Sequence, residues 1–302
     1  MSERALPPRL AIPTVVLYAA GYPIGAASVA VMSPFLIILL RFAASALLLW
    51  GVVAVRRTPL PDRRSMGHAM VAGLMTQGVQ FLGLYWALDH GVPSGLGSLL
   101  IALNPVVTAG LMALVLSHRE SRRGVLALVL ATAAVALACA PKIVQDHGVG
   151  PAIGVGVLAM LGLSAGGVYQ GRYCANMDPW LVTALGLTAS TPVAGVLAVT
   201  SPMTTSDLPR ALALVSVMVV FSSIGAMTLY SACIRQAGAR AASILFAVIP
   251  AAASVMGWAV LGEELSAMTI GGLALGAAAC LLQARASRSA VSEEAAEPSP
   301  SR

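Results

Sequence analysis

Two stretches decide the reading of this chain: Ser98-Leu-Leu-Ile-Ala-Leu-Asn-Pro105 and Ser243-Ile-Leu-Phe-Ala-Val-Ile-Pro250. They lie 145 positions apart, and Ser98, Leu100, Ala102 and Pro105 match Ser243, Leu245, Ala247 and Pro250. The same offset pairs Gly21 with Gly166, Pro34 with Pro179, Leu84-Tyr85 with Leu229-Tyr230 and Val115-Leu116 with Val260-Leu261. Isolated matches are cheap in a chain rich in leucine and alanine. Paired prolines inside apolar stretches are not, and they indicate an internal duplication.

Composition says where the two copies reside. Hydrophobic residues make up 58% and charged residues 10% of the 302 positions, with a mean hydropathy of +0.86. A soluble domain carries about 25% charge. This chain has too few polar residues to coat itself in water, so it reads as an all-α polytopic membrane protein. The net charge of +6 is not a nucleic-acid footprint, because the arginines sit between apolar runs without interleaved aromatics.

Charges and turn residues cut the chain into pieces of spanning length, about 20 residues each. Leu10 to Val55 is too long for one span, and a turn at Val31-Met-Ser-Pro34 divides it. The ten spans expected are about 11–31, 34–54, 68–88, 95–117, 124–140, 151–171, 179–200, 211–233, 241–262 and 267–284. Residues 1–10 are an N-terminal segment, 11–140 the first five-helix repeat, 151–284 the second, and 285–302 a disordered tail rich in Ser, Glu and Pro. The first apolar run lacks a convincing cleavage site, so it reads as a retained helix.

Arginine and lysine bias sets the orientation. With the N-terminus cytoplasmic, inner segments hold Arg4, Arg9, Arg56, Arg57, Arg63, Arg64, Arg119, Arg122, Arg123, Arg172, Arg235, Arg240, Arg285, Arg288 and Arg302. Outer loops hold Lys142 and Arg210, together with Asp89, Asp146, Asp207, Glu263 and Glu264. Both termini are therefore expected in the cytoplasm, and the plasma membrane is the expected location. Five is odd, so the second repeat is expected to run upside down relative to the first. Inverted repeats are a common transporter construction, with the solute site near the midplane between them.

The residues resemble the drug/metabolite transporter superfamily in its ten-helix EamA-type branch. The likeness rests on Ser33-Pro-Phe-Leu-Ile-Ile-Leu-Leu-Arg-Phe-Ala-Ala-Ser-Ala-Leu-Leu-Leu49, on Leu84-Tyr85 followed by Ala87-Leu88, on the Ser98–Pro105 stretch and its copy, and on Leu261-Gly262-Glu263. It covers residues 11–284. It implies a central cavity lined mainly by the first, third, fourth, sixth, eighth and ninth helices. It also implies export.

Several residues are candidates for the work. Pro105 and Pro250 fall near the middle of predicted spans. Each removes a backbone donor and bends its helix, as a moving hinge or as a static kink. Ser98 and Ser243 lie two turns before them, on the same face. Asn104 is deep in a span, where an unpaired amide is costly. It faces either a solute or another helix. Gln77 and Gln80 are three residues apart and suggest a wet face. Tyr85 and Tyr230, matched by the repeat, are expected at opposite mouths, as gates or as interfacial anchors. Tyr169 is a weaker cavity candidate. Arg41 is the one charge well inside a span, about 10 Å from the start of its helix at 1.5 Å per residue. It is a candidate receiver of a substrate carboxylate or phosphate, or a side chain that snorkels or ties to backbone carbonyls.

The remaining signals are negative. No Asp or Glu lies in the core of a span, so proton coupling through a buried acid finds no support. Cys139, Cys174, Cys233 and Cys280 form no metal or disulfide pattern. No nucleophile–base set, HExxH, P-loop or metal cluster is present, so neither an enzyme nor a cofactor is expected. Gly272 and Gly276 form a small-residue face for packing within the bundle, with a homodimer contact as the second reading. The reading that follows is a permease for small metabolites, amino-acid-like or otherwise polar or amphipathic, working by alternating access. The alternatives are efflux of lipophilic cations and a non-transporting scaffold or receptor.

Overall fold

The structure, a computed structural model, describes residues 6–90, 92, 97, 100–116, 129 and 150–261. The described elements are helical. They are α1 (Pro8–Val29), α2 (Pro34–Val55), α3 (Arg63–Gly73), a π-helical segment (Leu74–Leu82), α4 (Gly83–Asp89), α5 (Asn104–Leu116) and α6 (Gly150–Tyr173). Then follow α7 (Pro179–Thr200), α8 (Leu208–Met218), a second π-helical segment (Val219–Met227), α9 (Thr228–Ser243) and α10 (Leu245–Leu261). The spans expected at 124–140 and 267–284 fall almost wholly outside the described residues. Among the described residues, five helices are long and apolar enough to cross a membrane: α1, α2, α6, α7 and the run Leu208–Ser243.

The duplication seen in the sequence recurs in the elements. Pro34–Val55 corresponds to Pro179–Thr200, Arg63–Gly73 to Leu208–Met218, and one π segment to the other, all at the offset of 145. The starts are written in the residues. Ser33 or Asp178 precedes a proline at the first helical position of α2 and α7, where a missing N–H costs nothing. The Asp178 carboxylate accepts from the Trp180 N–H. Asp62 and its counterpart Asp207 cap α3 and α8 by accepting from the Arg64 and Arg210 N–H groups. The Ser65 hydroxyl, with backbone N–H groups, holds the Asp62 carboxyl below the usual carboxylate range.

Two sets of contacts fix the ends of the bundle. Ser33 N–H donates to Thr204 carbonyl at 2.9 Å, and Ser206 N–H donates to Val31 carbonyl at 2.9 Å. At the other end Arg56 pairs with Asp178 at 3.9 Å, and Arg235 reaches the Met177 carbonyl. Thus α2 runs from the Ser33 end to the Arg56 end, and α7, packed along it, runs the opposite way. At the Arg56 end, Gly238 adopts φ 85° and ψ 165°, a conformation open to glycine, and kinks the chain within α9.

Packing is reciprocal between repeats. Helix α1 packs on α8, the second π segment, α9 and α10, while its counterpart α6 packs on α3, the first π segment, α4 and α5. Helices gain no hydrophobic drive from lipid, so close fit decides their association. Gly73 and Gly186 supply the tightest approach, where a Cβ on Gly73 would lie 2.0 Å from Gly186 Cα. Gly162 and Gly166 of α6 likewise admit the first π segment. Phe42, Leu49, Leu181, Leu185 and Leu187 are buried between the repeats, whereas Leu47, Leu48, Val196 and Val199 form the exposed apolar flank.

Candidate solute cavity

A cavity of about 330 Å³ lies between the repeats. The first repeat lines it with Tyr18, Gly21, Tyr22, Gly25 and Val29 of α1, with Arg41 of α2, and with Gln80, Phe81, Leu84, Tyr85 and Leu88 of the π segment and α4. The second repeat supplies Ser222 from its π segment and Phe246 from α10. Both π segments thus border the space. Such segments break the regular ladder of an α-helix and recur at functional sites.

The long axis of the cavity has two different ends. Val29, Leu88 and Val92 carry it to the Ser33 end. Tyr18 and Phe246 line it farther from that end and pack with Tyr230 in a cluster of three rings. Tyr18 and Phe246 lie 5.1 Å apart, Tyr230 and Phe246 5.1 Å, and Tyr18 and Tyr230 6.2 Å, all edge-on. Edge-to-face rings at such spacing are a favoured aromatic packing.

Arg41 dominates the electrostatics. It is 1% exposed, its Nε–H donates to Ser223 Oγ at 2.8 Å, and its guanidinium carbon lies 4.3 Å from the Phe81 ring centroid. Its Nη2 is buried with no hydrogen-bond partner, as are Gln80 Oε1 and Ser222 Oγ. Among the described residues the ion pairs are Arg56–Asp178 and His90–Asp89, neither of which involves Arg41. Taking an unpaired charge out of water costs several kcal/mol, offset here only in part by the serine and the ring face.

The other predicted residues distribute unevenly. Tyr85 lines the cavity and its hydroxyl reaches towards Gly25, where an added Cβ would lie 3.1 Å away. Tyr230 belongs to the ring cluster. Gln77 and Gln80 do not share a surface. Gln77 faces α7, where both polar atoms of its amide lie about 3 Å from the position of a Gly186 Cβ. The cause is the π segment, whose i→i+5 bonding puts more residues in each turn than an α-helix. Positions three apart consequently diverge.

Asn104 is not among the residues lining the cavity. Its Oδ1 accepts from Ser164 Oγ at 2.7 Å and Thr108 Oγ1 at 3.1 Å, which joins α5 to α6. Ser243 is buried and donates to the Arg240 carbonyl. Tyr169 stands at the Arg56 end, with its hydroxyl 2.7 Å from His68 Nδ1. Pro105 occupies the first turn of α5, just after a turn at Leu103, and Pro250 lies inside α10. Ser98 lies outside the described residues. Sequence reasoning missed Ser222, Ser223, Tyr18, Phe81 and Phe246. Their residue types are common in membrane helices, and no sequence signal sets these copies apart.

Near the Arg56 end, burial pushes the Cys174 thiol up to about 11, so it remains protonated at neutral pH. Among the described residues no group of His, Cys, Asp or Glu is arranged to hold a metal ion.

No curated protein sequence matches the chain. A solved structure, described only as a crystal structure of protein, is similar at a TM-score of 0.72 and 14% identity, with 93% of this chain and 96% of that one covered. That likeness speaks to the fold alone. The model of the EamA-like transporter family matches twice, over residues 9–140 and 150–285. The two matches coincide with the two repeats, and the chain belongs to the EamA-like transporter family.

Proposed function

We propose that the protein is a plasma-membrane permease that exports small polar or amphipathic metabolites by alternating access. The observation that carries the reading is the cavity between the repeats. Its lining runs from Val29, Leu88 and Val92 near the Ser33 end to Tyr18 and Phe246, which pack with Tyr230. In this reading the ring cluster separates a solute held there from the Arg56 end, which leaves access from the Ser33 side. Ten helices in two inverted repeats supply the complementary state, because α2 and α7 occupy equivalent places and run in opposite directions. Arginines gathered at the Arg56 end favour a cytoplasmic location for that end, and with it for both termini.

The size and charge of the cavity favour metabolites. Its volume is at the low end of small-molecule sites, about 300–1,000 Å³. Arg41 repels a lipophilic cation, so efflux of such drugs fits poorly. A scaffold has no use for an internal cavity with unpartnered polar atoms. The test is a comparison of metabolites in medium and cytosol with and without overexpression. A class of small metabolites that moves into the medium supports export. An unchanged distribution, with the protein verified in the membrane, counts against it.

A further inference from the structure

The strongest unsatisfied demand in the molecule is at Arg41. Its charge is buried, its Nη2 lacks a partner, and no acid pairs with it among the described residues. The sequence places no Asp or Glu in the core of any span. Its repeat counterpart is Gly186, packed tightly on Gly73, so the guanidinium is no general requirement of the fold. A cation maintained at such cost in one repeat alone calls for an anion that arrives from outside.

The geometry of that anion follows from the donors. Nε is committed to Ser223 and one face of the guanidinium is covered by Phe81. Nη2 is left buried without a partner, in the guanidinium plane where a carboxylate binds in fork fashion. The surrounding walls are apolar and aromatic: Tyr18, Phe81, Leu84 and Phe246. The Ser222 hydroxyl, buried without a partner, can donate to such a head, while the unpartnered Gln80 Oε1 can only accept and suits a donor on the solute. The site therefore suits an acidic head and a small apolar body.

Building on the transporter reading, we propose that the solute is a small organic carboxylate, its carboxylate paired with Arg41 and its apolar body lying against Phe81, Leu84 and Phe246. Amino acids and simple monocarboxylates share this chemistry. Matched probes separate them: leucine carries both charged groups, 4-methylpentanoate only the carboxylate, and 3-methylbutylamine only the ammonium.

The test measures binding of the three probes to the full chain in nanodiscs, by calorimetry and by ligand-induced rise in melting temperature. The expected result is binding of 4-methylpentanoate, of leucine, or of both, at least tenfold tighter than 3-methylbutylamine. Leucine and 4-methylpentanoate relative to each other report whether the amino group is recognised. Arg41→Met should lose at least tenfold in carboxylate affinity. Arg41→Lys, which retains charge without the fork, should lose less, and the distant Arg172→Gln should lose nothing. Amine binding equal to acid binding, or no binding of either acid, overturns the proposal on the wild-type protein alone, whatever the stability of the variants. Unchanged acid binding by a folded Arg41→Met overturns it too. Metabolite export in cells that persists alongside either result leaves the transporter reading standing and removes the carboxylate.

Discussion

Arg41 of the first repeat and Ser223 of the second are joined across the cavity wall by a 2.8 Å hydrogen bond from Nε to Oγ. The bond aims the guanidinium and ties α2 to the second π segment. Ser223→Ala should therefore disturb position more than charge. A hydrogen bond to a charged group contributes about 1.5–3 kcal/mol, so a fall of that order in stability is expected, with weaker solute binding. Ser223→Thr should restore much of both. Thermal unfolding and binding measured on the same samples check this.

The Gly73–Gly186 approach makes a sharper structural demand. Gly73→Ala places a Cβ 2.0 Å from backbone that cannot rotate away. Overpacking typically costs about 1–3 kcal/mol, and a backbone clash falls at the upper end or beyond. Gly51→Ala on α2 meets nothing within 4 Å and should leave stability within about 0.5 kcal/mol. Melting temperatures of the two variants provide the comparison.

The glutamines should separate under thiol labelling. Gln80 lines the cavity and Gln77 faces α7. In cysteine form, position 80 should react with a water-soluble reagent added from the Ser33 side, above the background of native thiols, and solute should protect it. Position 77 should stay near background. Equal reactivity would contradict the divergence assigned to the π segment.

Gly25 marks the passage near Tyr85. Its Cβ position lies 3.1 Å from the Tyr85 hydroxyl, so a branched side chain there narrows the route to the Ser33 end. Gly25→Val is expected to lower flux at least tenfold. Melting temperature should fall less steeply than flux, because the atoms that must yield are the ends of the Tyr85 and Met218 side chains rather than backbone. Initial rates of uptake and unfolding curves distinguish this from general damage.

Much of the fold was legible from charge spacing. The turn at Val31–Pro34 separates α1 from α2 as the run length required, and Pro34 and Pro179 mark equivalent helix starts. Apolar length and proline position act locally, so sequence carries them. The π segments were not legible, because one extra residue per turn hardly alters an apolar pattern. They separate Gln77 from Gln80, bring Ser222 to the cavity and set Ser223 against Arg41. Arg41 was visible as an isolated charge, but its place on the cavity depends on how α2 packs against α7 and the second π segment. The resemblance to ten-helix permeases assigned the cavity mainly to other helices. Asn104 shows the opposite case: an amide deep in a span whose Oδ1 is held by Ser164 and Thr108 rather than by the cavity.

Alternating access is tested most directly by counterflow. Purified protein is reconstituted into vesicles loaded with a solute that overexpression moves into the medium, and entry of labelled solute is followed. A carrier that exposes one site to each side in turn predicts faster labelled entry into loaded vesicles than into empty ones, with transient accumulation above equilibrium. Entry no faster than in protein-free vesicles would contradict transport. Entry that is fast but indifferent to loading would contradict alternating access.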